Sequence, residues 1–242
     1  NRLLTIYDDE KPVGYQIFGA EPEIIAFTAK KLDALENALL DINMGCPVPK
    51  VVKNGEGSAL MKNPELVYKI VEAAVKNTTK PITAKIRIGW DENQMNCVEI
   101  ARAIEAAGGS AVNVHGRTRE QYYTGKADWT YIAKVKAAVN IPVVGNGDIV
   151  DSKSAMAMMN ETGCDFVMVG RKTLGNPWIF RELVAAWEGN LAPEPPTLEE
   201  KKQIMKEHFM DMLELKGEYA AVREMRKHIG WYMKGVKGSR SE

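Results

Sequence analysis

Short β-rich runs alternate with longer amphipathic segments between residues 13 and 170, and this alternation constrains the fold more than any other feature of the sequence. Repeated βα units of this kind are typical of a parallel sheet with helices packed on it. We therefore predict an α/β fold. The predicted strands span residues 13–19, 39–45, 81–89, 111–116, 142–146 and 166–170, and the predicted helices lie near residues 22–35, 64–76, 95–107, 130–138 and 152–161.

Local signals mark the ends of these helices. Pro22 and Pro64 suit the first helical turn, where the N–H that proline lacks has no partner within the helix, and Asp151 suits an N-cap. Gly108 and Gly163 indicate helix C-termini, because glycine readily adopts the left-handed conformation found there.

Polar and ionisable residues gather at the carboxyl ends of the predicted strands. They are Asn43, Cys46, Lys85, His115, Asn146, Asp148 and Arg171. In a (β/α)8 TIM barrel this end of the sheet carries the active site, so we predict that architecture. Six strands do not close a barrel of eight, and we expect about two further βα units, on the order of 50 to 60 residues, upstream. A doubly wound sheet needs no such units and is the structural alternative.

The character of the sequence changes after Trp187. A proline-rich linker at residues 191–196 is followed by a capping box at residues 197–200, which predicts a helix with Leu198, Met205, Phe209 and Met212 on one face. Gly217 is expected to end that helix, and a second helix is predicted at residues 218–234. We thus expect a barrel domain at residues 1–190 and a small helical domain at residues 197–242, each incomplete at its outer end.

Composition excludes few classes of function. The 32 basic residues balance the 32 acidic ones, so net charge gives no sign of nucleic-acid binding. The three cysteines are far apart, which argues against a zinc site or a disulfide framework and favours a reducing compartment. No segment is typical of a leader or a membrane helix. We expect a cytoplasmic protein, a monomer, without metal or membrane partner.

Individual residues suggest chemistry, with alternatives. Cys46 follows a strand at a sharp turn, where a thiol could act as nucleophile or acid, or could simply be a small buried residue. Lys85 lies in an apolar strand and needs an anionic partner, either a ligand or a carboxylate such as Asp41. His115 ends the next strand, and a lone histidine is usually structural. The glycine-containing turns at residues 146–148 and 170–171 suit a phosphate, although such turns are common.

A basic cluster near the C-terminus suggests a nucleic-acid partner. Between residues 223 and 240 one acidic residue, Glu224, accompanies six basic ones, Arg223, Arg226, Lys227, Lys234, Lys237 and Arg240. Trp231 and Tyr232 are interleaved and could stack on RNA bases. The alternative is a solvated helix face. Potential phosphate or stacking contacts beside the barrel mouth are Arg87, Arg117, Arg119, Tyr122 and Lys126.

The segment that contains Cys46, residues 41–60, resembles the active-site signature of the tRNA dihydrouridine synthases, in particular the bacterial B type. Further segments match that family in the same order, at residues 15–19, 85–90, 114–119, 121–125, 145–149 and 169–178. The resemblance is strong between residues 16 and 178 and looser between residues 226 and 235. The family's first strand carries a Pro-Met-Ala segment that cradles the flavin, and this segment is absent here.

The resemblance implies a flavin-dependent reduction of uridine in tRNA. NADPH would reduce FMN, the reduced flavin would pass hydride to C6 of the uracil, and Cys46 would protonate C5. It places Lys85 near N1 and O2 of the flavin, His115 at the flavin or its phosphate, Gln16 at the isoalloxazine ring and Asn43 facing the substrate base. The expected cofactor-binding residues are Gln16, Asn43, Lys85, His115, Asn146, Gly147, Asp148, Gly170 and Arg171. The expected RNA-binding residues are Arg87, Arg117, Arg119, Tyr122, Arg223, Arg226, Lys227 and Lys234.

Three other functions stay open from the sequence. A different FMN barrel enzyme, such as a dihydroorotate dehydrogenase, would share the fold but would not explain the basic tail. A phosphate-binding barrel without flavin would use Lys85 as a Schiff base. An RNA-binding remnant would bind tRNA without flavin. The sequence leaves undecided which uridine is reduced and whether NADPH is preferred over NADH.

Overall fold

A computed structural model describes residues 4–236. Its sheet contains β1 (Gly14–Ile17), β2 (Leu39–Asn43), β3 (Ile82–Arg87), β4 (Ala111–His115), β5 (Val143–Asn146) and β6 (Phe166–Met168). Each strand pairs in parallel with the next one along the chain, and the order never reverses. A doubly wound sheet reverses its order at a switch point, whereas a barrel wall does not. The predicted α/β fold is confirmed, and the sheet is compatible with part of a TIM barrel.

The helices of the described residues are α1 (Pro22–Asp33), α2 (Pro49–Val52), α3 (Pro64–Val75), α4 (Cys97–Ala106), α5 (Thr130–Lys136), α6 (Ser152–Thr162), α7 (Ile179–Trp187), α8 (Leu198–Lys216) and α9 (Glu218–Tyr232). The predicted starts at Pro22 and Pro64 are confirmed, and Asp151 Oδ1 accepts a hydrogen bond from Ser154 N at 2.8 Å. Two helices, α2 and α7, were not predicted. α2 has only four residues, which is too short to show a helical period.

The two faces of the sheet differ in chemistry. One face is apolar and lies under the helices, with buried residues that include Leu40, Ile42, Ala84, Ile86, Val112 and Val114. The residues between them in the same strands are mostly polar. Because side chains alternate along a strand, all of these polar residues lie on the opposite face. The sheet therefore has one hydrophobic core face and one polar face.

Contacts divide the chain into two compact units. The first comprises Leu4–Asp148 and Ala157–Met168, and includes the whole sheet. The second comprises Ile149–Met156 and the described part of Val169–Glu242. The domain limits predicted at residues 190 and 197 stay a prediction.

Within the second unit, α8 and α9 form an antiparallel pair with its own apolar cluster. The predicted capping box is confirmed, because Glu200 N donates to Thr197 Oγ1 and Thr197 N donates to the Glu200 carboxylate. Gly217 lies between the helices with a φ of 78°. The buried residues are Met212, Ala221, Met225 and Tyr232, flanked by Trp178, Ile204, Met205, Phe209 and Leu213. Leu198 was expected on this face, but it lies in the first turn and is exposed.

None of the helices described between residues 4 and 236 is long and apolar enough to cross a membrane.

Candidate functional site

The polar face of the sheet forms the candidate site, at the carboxyl ends of β1 to β5. Strand register brings its side chains together in rows, with Asn43 beside Lys85 and Lys85 beside Asn113. A second row joins Arg87, His115 and Asn146. The site thus includes Gln16, Asp41, Asn43, Thr83, Lys85, Arg87, Asn113, His115 and Asn146. Thr83 and Asn113 were missed by sequence reasoning, and polar residues at every second position of a buried strand were the signal for them.

A buried carboxylate, that of Asp41, organises the inner part of this face. It accepts hydrogen bonds from Gln16 Nε2 at 2.7 Å, Thr83 Oγ1 at 2.5 Å and Asn113 Nδ2 at 3.1 Å. Neutral donors from three other strands therefore satisfy Asp41. Its predicted alternative role, an ion pair with Lys85, is wrong, because no such pair within 4 Å is formed.

Lys85 is the unsatisfied cation of this face. Burial is the largest influence on its ammonium and, together with repulsion by Arg87, lowers the pKa of Lys85 from 10.5 to about 7, against a smaller opposing effect of Asp41. Among the residues described, its Nζ has neither a hydrogen-bond acceptor nor an ion-pair partner. A charged amine in such surroundings is stabilised by a bound anion. Lys85 therefore marks a place for an anionic ligand.

The turn that carries Cys46 is attached to the same polar face through Asn43. Asn43 Nδ2 donates to Gln16 Oε1 at 2.9 Å, and Asn43 Oδ1 accepts from Cys46 N at 2.9 Å. The Cys46 carbonyl accepts from both the backbone N and the hydroxyl of Ser58, at 3.1 and 3.0 Å. Cys46 is half-buried and follows the carboxyl end of β2.

The other two cysteines are buried, as expected of core residues. Burial raises the pKa of the Cys97 thiol to about 11. Cys164 is only 4% exposed. Of the three thiols, Cys46 is the one placed for chemistry.

Arg87, predicted to contact RNA, is instead a buried connector. Its Nε donates to the Gly45 carbonyl at 2.9 Å, and its Nη1 donates to the carbonyls of Thr118 and Tyr122 at 2.8 and 2.9 Å. It is 3% exposed. The structure gives no support to an RNA contact by Arg87.

Glycine is required in the turn at residues 146–148. Gly147 has a φ of 124°, and a Cβ there would lie 2.7 Å from Ala127 Cβ and 3.1 Å from the His115 ring. Asn146 Nδ2 donates to the Met168 carbonyl at 2.8 Å, and Trp129 Nε1 donates to the Gly147 carbonyl at 3.0 Å. His115 is buried directly beneath this turn. The backbone of residues 146–148, called the Gly147 cradle below, is thus fixed by hydrogen bonds and close packing on several sides.

Asp148 and Arg117 support this turn from behind. Arg117 Nη2 donates to both Asp148 carboxylate oxygens at 2.7 and 2.8 Å, and Ala127 N donates to Asp148 Oδ2 at 2.7 Å. Arg117 is 2% exposed, and it also donates to the carbonyls of Thr124 and Gly125. Asp148, predicted to bind the cofactor, and Arg117, predicted to bind RNA, therefore neutralise each other.

Gly170 and Arg171 lie in the second unit, where Arg171 begins a short 3-10 helix, Arg171–Thr173. Thr173 Oγ1 donates to the Gly170 carbonyl at 2.8 Å. Both residues are exposed. Their predicted role at a phosphate stays a prediction.

A cluster of cations and aromatic rings surrounds Trp90, just beyond β3. Lys62 Nζ lies 3.3 Å from the centre of the Trp90 ring, and Cζ of the Arg119 guanidinium lies 4.7 Å from the same ring centre. Arg119 also lies 5.9 Å from the Tyr122 ring, and its Nε is buried without a hydrogen-bond partner among the residues described. Arg119 is therefore better placed than Arg87 or Arg117 for a ligand. Lys62 was not considered from the sequence.

The predicted basic residues of α9 and its C-terminal end are exposed. They are Arg223, Arg226, Lys227 and Lys234, whereas Lys237 and Arg240 lie outside the described residues. Arg223 donates to the Tyr219 hydroxyl, and Glu224 pairs with Lys216. Tyr232, expected to be available for stacking, is buried in the apolar cluster of α8 and α9, whereas Trp231 is partly exposed.

Among residues 4–236, no group of three or more histidine, cysteine, aspartate or glutamate side chains is arranged to hold a metal ion.

Comparison with known proteins gives a consistent family. The sequence profile of the dihydrouridine synthases matches residues 1–241. The chain is 43% identical over 221 residues to a probable tRNA-dihydrouridine synthase of Rhodobacter capsulatus, covering 91% of this chain and 68% of the relative. It is 42% identical over 242 residues to tRNA-dihydrouridine synthase B of Pseudomonas aeruginosa, covering 99% and 73%. It is 45% identical over 239 residues to a probable tRNA-dihydrouridine synthase of Mycobacterium leprae, covering 96% and 62%.

The chain therefore spans about two thirds of the length of these relatives. Among solved structures, it resembles D-glucarate dehydratase from Agrobacterium tumefaciens with a TM-score of 0.55 and 13% identity, covering 73% of this chain and 44% of that one. At this identity the likeness concerns the fold alone.

Proposed function

Because this chain belongs to the dihydrouridine synthase family, we propose that it carries the catalytic centre of a tRNA-dihydrouridine synthase that uses FMN and NADPH. The family and its relatives support the activity on tRNA, and the cofactors are our inference. One observation carries the proposal. Lys85, an unpartnered cation on the polar sheet face, lies beside Asn43, whose Oδ1 accepts a hydrogen bond from the backbone N of Cys46.

The residues of this face fit FMN in two respects. The unpartnered Lys85 suits the negative charge that a reduced flavin carries near N1 and O2. The turn at residues 146–148, the Gly147 cradle, suits a phosphate, because Gly147 packs directly against Ala127 and the His115 ring and such turns after late barrel strands commonly bind phosphate. Residues of the first unit that would hold the group are Gln16, Asn43, Lys85, His115, Asn146 and Gly147. The role expected for Gly170 and Arg171, which belong to the second unit, stays a prediction. When bound, FMN would supply the hydride for C6 of uracil, with NADPH as the source of its electrons.

Lys85 has a clear role in this arrangement. Its lowered pKa shows that its proton is held weakly when no anion is near. A negative charge placed beside Nζ raises that pKa again and keeps the ammonium charged. Lys85 therefore stabilises the more negative state of the ligand and so favours its reduction.

Cys46 supplies the proton. A saturated C5–C6 bond needs one proton at C5 for each hydride at C6, and a thiol beside the base can act as the acid. The Cys46 turn leaves the same strand that carries Asn43, so the thiol lies at the edge of the polar face. Asn43 fixes the start of the turn through Gly45 N and Cys46 N.

Exposed cations on α9 would contact the RNA backbone, with Arg119 beside the mouth. A uridine must leave the RNA stack before its C5 and C6 reach such a site, and contacts to neighbouring phosphates can compensate for the lost stacking. We place the protein in the cytoplasm, where its substrate and its free thiols are both expected.

The test is a single assay with the complete protein loaded with FMN. NADPH and unmodified tRNA are added, and dihydrouridine is counted by mass spectrometry of the digested nucleosides. A reaction without NADPH is the control. Dihydrouridine that depends on NADPH supports the proposal. Its absence, with flavin bound and reducible, would contradict the activity and favour a different flavin oxidoreductase. If the protein takes up no FMN during loading but still binds tRNA, an RNA-binding remnant is favoured.

A further inference from the structure

The Cys46 turn is held in place by hydrogen bonds to several of its backbone groups. Arg87 Nε donates to the Gly45 carbonyl, Asn43 accepts from Cys46 N, and Ser58 donates twice to the Cys46 carbonyl. The next carbonyl, that of Pro47, accepts from the Tyr122 hydroxyl at 2.9 Å. A turn with this many bonds is a rigid mount for the thiol.

Tyr122, which also holds the turn, lies in the loop that follows β4. Its backbone has a φ of 49°, a left-handed conformation that a tyrosine rarely adopts. That conformation is maintained by local bonds, since Arg87 Nη1 donates to the Tyr122 carbonyl and Tyr122 N donates to the Arg119 carbonyl. Residues held in such backbone regions often serve a site.

Arg87 connects the two segments from within. Its guanidinium donates to Gly45 on one side and to Thr118 and Tyr122 on the other. The Cys46 turn and the Tyr122 segment therefore share one buried anchor, and the hydroxyl of Tyr122 adds a second, part-buried connection between them.

We propose that Tyr122 is a positioning residue for Cys46, and that its hydroxyl bond to the Pro47 carbonyl fixes the turn that presents the thiol to the substrate base. This role differs from the RNA contact that the sequence suggests for Tyr122. It rests on the proposed function only for the identity of the base, because the fixation of the turn itself can be measured without RNA or flavin.

The first experiment measures the reactivity of the Cys46 thiol in Tyr122→Phe. The complete protein is treated with iodoacetamide, whose iodide leaves as the sulfur–carbon bond forms, and alkylation of each cysteine is followed by peptide mass spectrometry. Tyr68→Phe is the matched control, because it also removes one hydroxyl bond, to Glu72 at 3.2 Å, on α3. Buried Cys97 and Cys164 report any general loosening of the fold.

We expect Cys46 in Tyr122→Phe to react about fivefold faster than in the parent, the ratio that corresponds to ~1 kcal/mol for one hydrogen bond. Cys97 and Cys164 should react as slowly as in the parent, and Tyr68→Phe should not change Cys46. An unchanged rate at Cys46, or equal acceleration of all three cysteines, overturns the proposal.

The second experiment separates positioning from RNA binding. Phenylalanine keeps the ring for stacking, so Tyr122→Phe should lower kcat for dihydrouridine formation severalfold with KM for tRNA unchanged, and flavin reduction by NADPH should keep its rate. A raised KM with unchanged kcat would show an RNA contact instead and overturn the proposal. If the parent itself forms no dihydrouridine, the proposed function fails, and the alkylation rates alone then decide the role of Tyr122.

Discussion

Replacing Lys85 by methionine should make the cofactor-free protein more stable while removing its affinity for flavin. Methionine keeps most of the length of the apolar stem but carries no charge into the polar face. In the parent, the ammonium lacks a partner among the residues described, so the folded state gains little from its proton. Lys85 would thus destabilise the folded protein when no ligand is bound, in return for its affinity for an anionic ligand.

The size of this cost follows from the pKa. Burial lowers the pKa of Lys85 from 10.5 to about 7, so the folded state binds the proton less tightly than the unfolded state. The cost is therefore fully present below about pH 7 and is relieved as the pH rises toward the unfolded pKa. At about 1.36 kcal/mol per pKa unit, it is about 5 kcal/mol near pH 6 and about 2 kcal/mol near pH 9.

These values are upper limits, because Lys85 keeps partial contact with solvent, which screens its charge. Taking about half of them, Lys85→Met should raise the free energy of unfolding by about 2 kcal/mol near pH 6 and about 1 kcal/mol near pH 9. Urea unfolding of the flavin-free protein at both pH values measures this gain. Lys30→Met, an exposed lysine of α1, is the control and should show no gain. A gain that is equal at both pH values, or a loss at both, would refute the reasoning.

Further predictions concern the thiol, the cradle and the RNA surface. Cys46→Ala should leave flavin reduction by NADPH nearly intact and slow dihydrouridine formation by about a hundredfold or more, measured by nucleoside mass spectrometry; equal activity would contradict its role as acid. Gly147→Ala should weaken FMN binding at least about tenfold in a fluorescence titration, because its Cβ would lie 2.7 Å from Ala127 Cβ. Replacing Arg223 and Arg226 together by glutamine should weaken tRNA binding and reduce the salt dependence by roughly 0.7 to 0.9 per lost phosphate contact. An unchanged salt slope would remove these residues from the RNA surface.

The fold could be predicted because its signals are local. Alternating strands and helices, proline at the helix starts and glycine at their ends are each determined by a few neighbouring residues. The βα repeat indicated a parallel sheet, but its strand order separated a barrel from a doubly wound sheet only in the structure. α2 was missed because four residues show no helical period. Leu198 was predicted to lie on the same face as Met205 and Phe209 but is exposed, and the sequence does not show that the neighbouring helix ends before it reaches the first turn of α8.

The site was predictable in its residue types but not in its hydrogen bonds. The position of Lys85 within an apolar strand already implied an anionic partner, either a ligand or a carboxylate. The satisfaction of Asp41 by Gln16, Thr83 and Asn113 could not be foreseen, because it depends on the register between four strands. Register is set by the packing of the opposite face and the turns, which no single strand encodes.

The buried arginines show why charge alone is a poor guide to RNA contacts in this chain. Arg87 and Arg117 lie at the mouth and were natural candidates for phosphate binding, yet both are almost fully buried. Each donates hydrogen bonds from its guanidinium to backbone carbonyls of neighbouring loops. Arg117 also forms an ion pair with Asp148. A planar group with five donors is suited to joining loops, whereas a lysine is not. The exposed arginines of α9 and the half-buried Arg119 are therefore the ones on which RNA binding should depend. The loops around Cys46 should depend on the buried arginines.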